Sequence, residues 1–171
     1  MEKIGFGGSC HWCTEAVFQA LTGVREVLQG WISPENDPTS FSEAVIVHFD
    51  QDRISLETLI QIHLHTHSCT SEHSMREKYR SAVYVFDAEQ IDHVSELIAA
   101  QQEDFTEPII TQSLLAAAFK LNSAQYLNYY FTDPSKPFCE NIVNPKLQAL
   151  MKRFGNEVDR DKLSHLSDAA E

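Results

Sequence analysis

The stretch KIGFGGSCHWCTEAVFQALTG, residues 3–23, constrains this chain more than any other. A short apolar strand runs into a Gly-Gly turn, and a helix follows at once, predicted from about Trp12 to Leu21. Ala16, Val17, Ala20 and Leu21 recur at helical spacing and make its apolar stripe. Thr22-Gly23 ends it, because glycine past the last periodic residue is a C-cap signal. A tight turn between an apolar strand and an apolar helix forces the two to pack against each other. It also sets Cys10 at the helix start, with Cys13 one turn further on the same face.

The rest of the chain supplies the other layers. VREVLQGWI (24–32) and FSEAVIVHFD (41–50) alternate as half-buried strands, separated by the Pro- and Ser-rich loop SPENDPTS (33–40). Phe41, Glu43, Val45, Val47 and Phe49 share one face of the second, which puts a carboxylate on an apolar face. Ser55 is the expected N-cap of a helix to about Thr66. After an irregular segment, 68–78, RSAVYVFD (80–87) reads as a strand and 88–102 as a helix. PIITQSLLAAAF (108–119) reads as a further strand, or in part as a helix. Short helices are expected near 122–131 and 145–153, around a Pro-bounded loop at 133–138. Adjacent antiparallel strands between helices predict an α+β fold: a two-layer sandwich with a ferredoxin-like (split β-α-β) core and a mixed, mainly antiparallel sheet. One domain is expected over 1–155, with 156–171 a poorly ordered tail.

Composition narrows the partners. A net charge of −12 with no basic run argues against nucleic acid and anionic membrane surfaces. No basic-then-apolar leader opens the chain, and no stretch approaches the ~20 apolar residues of a membrane span, so a cytoplasmic location is expected. In a reducing compartment Cys10, Cys13, Cys69 and Cys139 are not expected to form a structural disulfide framework.

A thiol at a helix N-terminus lies where backbone N–H groups and the helix dipole favour the thiolate. Residues three apart in a helix have Cα atoms ~5–5.5 Å from each other, inside the range a disulfide spans. Cys10 is therefore placed to attack and Cys13 to resolve. The alternatives are two thiols buried for packing, or a zinc site drawing on His63, His67 and Cys69. The zinc reading lacks a second ligand pair at finger-like spacing, so no metal is expected.

At this point the chain resembles the A-type peptide methionine sulfoxide reductases. Ser9-Cys10-His11-Trp12-Cys13-Thr14-Glu15 matches that family's Gly-Cys-Phe-Trp-Gly-x-Glu turn, with LTGV (21–24) following at the family's distance. SEAVIVHFDQDRISLETLIQIHLHTH (42–67) is similar to its acidic strand and the helix after it. KYRSAVYVFDAEQ (78–90) resembles its Gln-Tyr-Arg-Ser strand, and PFCENIVNPKLQAL (137–150) its Cys-bearing C-terminal segment. The resemblance implies reduction of methionine-S-sulfoxide, free or in proteins, without a prosthetic group. It implies Cys10 as nucleophile, Glu43 as proton donor, Tyr79 as a hydrogen-bond donor to the sulfoxide oxygen and Trp12 as an apolar wall. Cys13 or Cys139 would condense with the Cys10 sulfenic acid, and a thioredoxin-like reductant would reopen the disulfide. The apolar strand face is expected to keep Glu43 protonated.

The chain also departs from the family pattern. His11 replaces a Phe beside the nucleophile, Trp31 stands where a second Tyr binds oxygen, and Ser74 stands where an Asp lies. Ser123 and Tyr126 replace a Glu and a His, the loop before Glu43 is short, and Cys13 replaces a Gly. His11, Trp12, Trp31 and Ser74 are thus the expected substrate-contacting positions, with His11 able to tune the Cys10 thiol. Glu15 reads as a surface charge near the helix start. Two other functions remain open: thiol–disulfide exchange by the C-x-x-C itself, or non-catalytic binding of a thiol, thioether or metal.

Overall fold

A computed structural model describes residues 2–166. Five strands carry the fold: β1 (Glu2–Gly7), β2 (Val24–Pro34), β3 (Ser42–Phe49), β4 (Ala82–Val85) and β5 (Gln112–Leu121). They close into a barrel in the order β1-β3-β2-β5-β4, with β4 returning to β1. Every pairing is antiparallel except β4 with β5. The expected two-layer ferredoxin-like sandwich is therefore incorrect, because an open sheet would leave two edges and here β5 joins β2 to β4.

The physical reason lies in β3, whose residues are buried on both faces. Val45 and Val47 pack outward beneath the helices, while Ala44 and Ile46 join Ile32, Ala82 and Tyr84 in a second cluster. That second cluster fills the barrel. Gly5 on β1 faces Ile32 on β2, which is not its neighbour in the sheet, and an added Cβ would lie 3.0 Å from Ile32 Cδ1. Closure also needs Gly30, where an added Cβ would lie 2.0 Å from the Lys120 carbonyl oxygen on β5. Barrels of few strands have interiors that side chains fill completely.

Helices α1 (His11–Gln19), α2 (Leu56–His65) and α3 (Ile91–Ala100) cover the outside. Ser55 caps α2 as expected, its hydroxyl accepting the Thr58 N–H at 3.1 Å. The predicted helix near 122–131 is reduced to single turns, the second being α4 (Tyr129–Thr132). A π-helical turn over Cys139–Val143 leads directly into α5 (Asn144–Arg153). The segment expected to fray from 156 returns to the core as far as it is described. Val158 bridges Leu21, and Leu163 and Leu166 are buried; residues 167–171 lie outside the described residues. Among the described residues no helix is long and apolar enough to cross a membrane.

Candidate active site

Cys10 is the N-cap residue of α1, and its carbonyl accepts the N–H groups of Cys13 and Thr14, both at 3.1 Å. Cys10 makes no side-chain capping bond; the His11 N–H goes to Glu43 at 3.3 Å, and the Trp12 N–H with the positive end of the dipole is left to the thiol. A hydrogen bond from the Cys13 thiol does most to pull Cys10 down, to about 6, against burial and with help from the Trp12 N–H. That same bond, with burial, pushes Cys13 far above the ordinary thiol range. At neutral pH the pair is therefore a Cys10 thiolate and a Cys13 thiol that donates to it.

The turn before Cys10 is fixed from behind. Gly8 has φ +148°, and a Cβ there would come within 2.5 Å of the His67 ring. His67 donates from Nδ1 to the His63 carbonyl (2.5 Å) and meets the Ser81 hydroxyl through Nε2 (2.8 Å). His63 Nε2 donates to the Gly7 carbonyl at 2.8 Å. Burial lowers both imidazoles, His67 to about 4, so they are neutral supports. Both nitrogens of His67 and Nε2 of His63 are engaged in this packing. Among the described residues His63 Nδ1 is buried without a partner, and no group of three or more His, Cys, Asp or Glu could bind a metal. Cys69, which the zinc reading would have used, is buried, its N–H donating to the His67 carbonyl at 2.9 Å. The Arg76 guanidinium donates to the carbonyls of Gly8 (2.8 Å), Ser68 (2.6 Å), Ser71 (2.9 Å) and Tyr79 (2.8 Å), tying the 68–79 loop to the cysteine turn.

Glu43 lies on the face of β3 that packs under α1, and both it and His11 are buried. His11 meets the same carboxylate oxygen, Oε1, twice: through Nδ1 and through its backbone N–H (3.3 Å). The ring's tautomer follows from its other neighbours. Asn122 Oδ1 accepts the Ser123 N–H (2.8 Å), so its Nδ2 faces both Gln29 Oε1 (2.6 Å) and His11 Nε2 (2.9 Å). An amide nitrogen only donates, so Nε2 accepts and the ring proton resides on Nδ1, pointing at Glu43. Burial pushes Glu43 up, but His11 and the Lys78 ammonium, 3.6 Å from Oε2, outweigh it and hold the carboxyl below its ordinary value. The apolar face was expected to keep Glu43 protonated; the polar residue beside the nucleophile reverses that. Trp31 is Glu43's partner across β2 and β3, and its ring sits edge-on to His11 at 5.2 Å.

Trp12 belongs to an aromatic wall. It stacks on Tyr129 at 4.1 Å and meets Phe138 edge-on at 5.6 Å. Cys139 follows Phe138 and is wholly buried, which raises its thiol. A cleft of about 530 Å³ opens beside Cys10, with Tyr79, Met75 and His73 along it. Ser74 is exposed in the same loop, and the cleft's lining passes from His73 to Met75 without it. The fold thus gathers Cys10, His11, Trp12, Cys13, Trp31, Glu43, Tyr79 and Cys139 around the start of α1, and leaves Ser74 outside.

Four supporting groups escaped the sequence reading. Glu15 is fully buried, and its carboxylate accepts the N–H groups of Asn128 (2.9 Å) and Tyr129 (3.1 Å), pinning the aromatic wall. Gln29 and Asn122 orient His11, and Tyr129 carries the ring that Trp12 stacks on. A signal existed for Gln29, a polar residue inside an alternating strand, and for Tyr129 in the aromatic run QYLNYYF. For Glu15 the clue was its place among Cys13, Ala16 and Val17, residues that pack inward.

Known proteins resemble this chain over most of its length. A family model described as peptide methionine sulfoxide reductase matches residues 2–158. The peptide methionine sulfoxide reductase MsrA of Deinococcus radiodurans is 32% identical over 173 residues, covering 92% of this chain and 84% of that protein. Among solved structures, reduced Mxr1 from Saccharomyces cerevisiae superposes with a TM-score of 0.71 at 17% identity, over 81% of this chain and 88% of that one. Mxr1 in complex with Trx2 superposes with a TM-score of 0.59 at 17% identity, over 75% and 84% of the two chains. At those identities the structures speak for the fold alone.

Proposed function

The chain belongs to the peptide methionine sulfoxide reductase family, and from that premise we propose that Cys10 is the nucleophile of a two-thiol reduction completed by Cys13. The chain is a thiol-dependent reductase of methionine sulfoxide. The observation that carries the assignment is the placement of Cys10 at the N-cap of α1 with Cys13 one turn on, its N–H donating to the Cys10 carbonyl at 3.1 Å; beside Cys13 the Cys10 thiol is pulled down to about 6.

A sulfoxide has an electrophilic sulfur and an oxygen that leaves only when protonated. The Cys10 thiolate attacks that sulfur, and the oxygen passes to Cys10 Sγ as it takes up a proton. Thiolate, sulfoxide and one proton become a sulfenic acid and methionine. Glu43 supplies the proton from its Oε2 side, because His11 occupies Oε1 with two N–H groups. Tyr79 bounds the cleft beside Cys10 and holds the oxygen, while Trp12, backed by Tyr129 and Phe138, receives the methyl group. The S epimer of the sulfoxide is the substrate that the family resemblance implies.

In the second step Cys13 attacks Cys10 Sγ. An S–S bond forms, the S–O bond breaks, and the thiol's proton leaves with the oxygen as water. Cys139, buried beyond Phe138, is the further thiol within the same cluster. A reductant of the thioredoxin type restores the dithiol by exchange, a reading supported by the Trx2-bound relative. Two thiols and one sulfoxide thus give a disulfide, methionine and water, and no step calls on a prosthetic group.

The test is a single turnover. Reduced protein mixed with a peptide methionine sulfoxide, without added reductant, should release one equivalent of the methionine peptide per chain, and Cys10→Ser should release none. Release by the Cys10→Ser variant would overturn the assignment.

A further inference from the structure

We propose that Lys146 is the cation that activates Cys13 for the second step, a role that rests on the two-thiol reading above. Lys146 stands in the first turn of α5 and is half-buried. It lines a narrow gap together with Cys13, Ser9, Thr14, His63 and His67, and also borders the open cleft beside Cys10. Its side chain has no hydrogen-bond or ion-pair partner among the described residues. Among those residues no carboxylate neutralises this ammonium, and the buried Cys13 lines the same gap.

The chemistry of the second step supplies a reason for that placement. While Cys10 is a thiolate, Cys13 serves as its hydrogen-bond donor and must stay protonated. Oxygen transfer turns Cys10 into a neutral sulfenic acid and ends that demand. Cys13 must then lose its proton from a site only 3% exposed, so an adjacent positive charge decides how much thiolate forms. The other groups that face it cannot serve. His63 and His67 on the α2 side are held neutral by burial, Cys10 is by then a neutral sulfenic acid, and Cys139 is a buried thiol that supplies no positive charge. Lys146, which lines the same gap, acts on Cys13 in the thiolate's favour. The step balances as before: Cys13 Sγ–H gives up its proton, its sulfur bonds Cys10 Sγ, and hydroxide leaves as water with that proton. Cys13 is oxidised and the sulfenic sulfur reduced.

Single-turnover measurements in a Cys139→Ser background, where Cys13 is the sole resolving thiol within the cluster, separate the two steps. Methionine release reports the first. Disulfide formation, and the lifetime of the sulfenic acid toward a dimedone-type trap, report the second. Lys146→Met should retain one equivalent of methionine release. It should slow disulfide formation at pH 7 by about tenfold and shift its rate–pH curve to higher pH, and Lys146→Arg should restore both. Lys146→Gln repeats the measurement with a polar side chain of similar reach, for the case in which methionine disturbs folding. An unchanged disulfide rate and pH curve in the uncharged variants would overturn the proposal. Loss of methionine release from the parent would instead count against the two-thiol reading itself.

Discussion

His11 is the residue that most changes the chemistry around Cys10. Where the family pattern has a phenyl ring, an imidazole N–H holds the Glu43 carboxylate, and Asn122 and Gln29 hold the imidazole. Its consequence is a pH dependence with a definite sign. The first step needs Cys10 ionised and Glu43 protonated. With Cys10 at about 6 and Glu43 held below its ordinary value, the product of the two fractions is greatest at or below about pH 6 and falls above it. His11→Phe removes the imidazole and leaves burial as the main influence, so the Glu43 carboxyl rises and stays protonated to higher pH. The first-step optimum, measured by rapid-quench methionine release, should move upward; an optimum that stays in place would show that the proton comes from elsewhere. Linkage gives stability the opposite trend with pH. A carboxylate held low in the fold stabilises above its unfolded value and loses that contribution as pH falls through the folded one. His11 itself was legible in the sequence as a departure, but its partner was not. Contact between residues 11 and 43 depends on how α1 lies across β3.

Among the elements, α1 and the segment around α4 form a single working unit. Glu15 joins them by accepting the N–H groups of Asn128 and Tyr129, and Asn128 itself adopts a left-handed conformation, φ 56°, to start the turn. Glu15→Ala leaves two N–H groups without their acceptor and should cost roughly 1–3 kcal/mol in urea unfolding. It should also weaken peptide sulfoxide binding, read as a raised KM, because Tyr129 no longer backs Trp12. A stability loss with an unchanged KM would separate the anchor from the wall. The strand–turn–helix unit at residues 2–19 could be read directly, since its apolar periodicity and its glycines act locally. The 122–132 segment could not. Its helical periodicity is weak, and what shapes it is a carboxylate more than a hundred residues earlier in the chain.

For the whole molecule, closure of the barrel is what brings β3, β4 and α1 to one site. The alternating pattern of β2 and β3 revealed strands but not closure, because pairing between β5 and β2 is a long-range choice governed by shape. Gly30 is where that choice is most exposed to test. An added Cβ would meet the Lys120 carbonyl, part of the backbone, so the strand itself must shift. Gly30→Ala should cost about 3 kcal/mol, the upper end of ordinary overpacking, read as a lowered urea midpoint. A midpoint within error of the parent would show that β2 and β5 have slack. The return of Val158, Leu163 and Leu166 to the core was likewise hidden, since three apolar residues in a polar stretch carry little periodic signal.

The central claim is that Cys10 takes the oxygen and Cys13 resolves it. It is tested most directly by mapping the disulfide in native protein after one turnover of a peptide methionine sulfoxide without reductant. Proteolysis and mass spectrometry should find one Cys10–Cys13 bond per released methionine, with Cys69 and Cys139 still alkylatable. A Cys10–Cys139 bond formed at the rate of methionine release, with Cys13 left as a free thiol, would contradict the account.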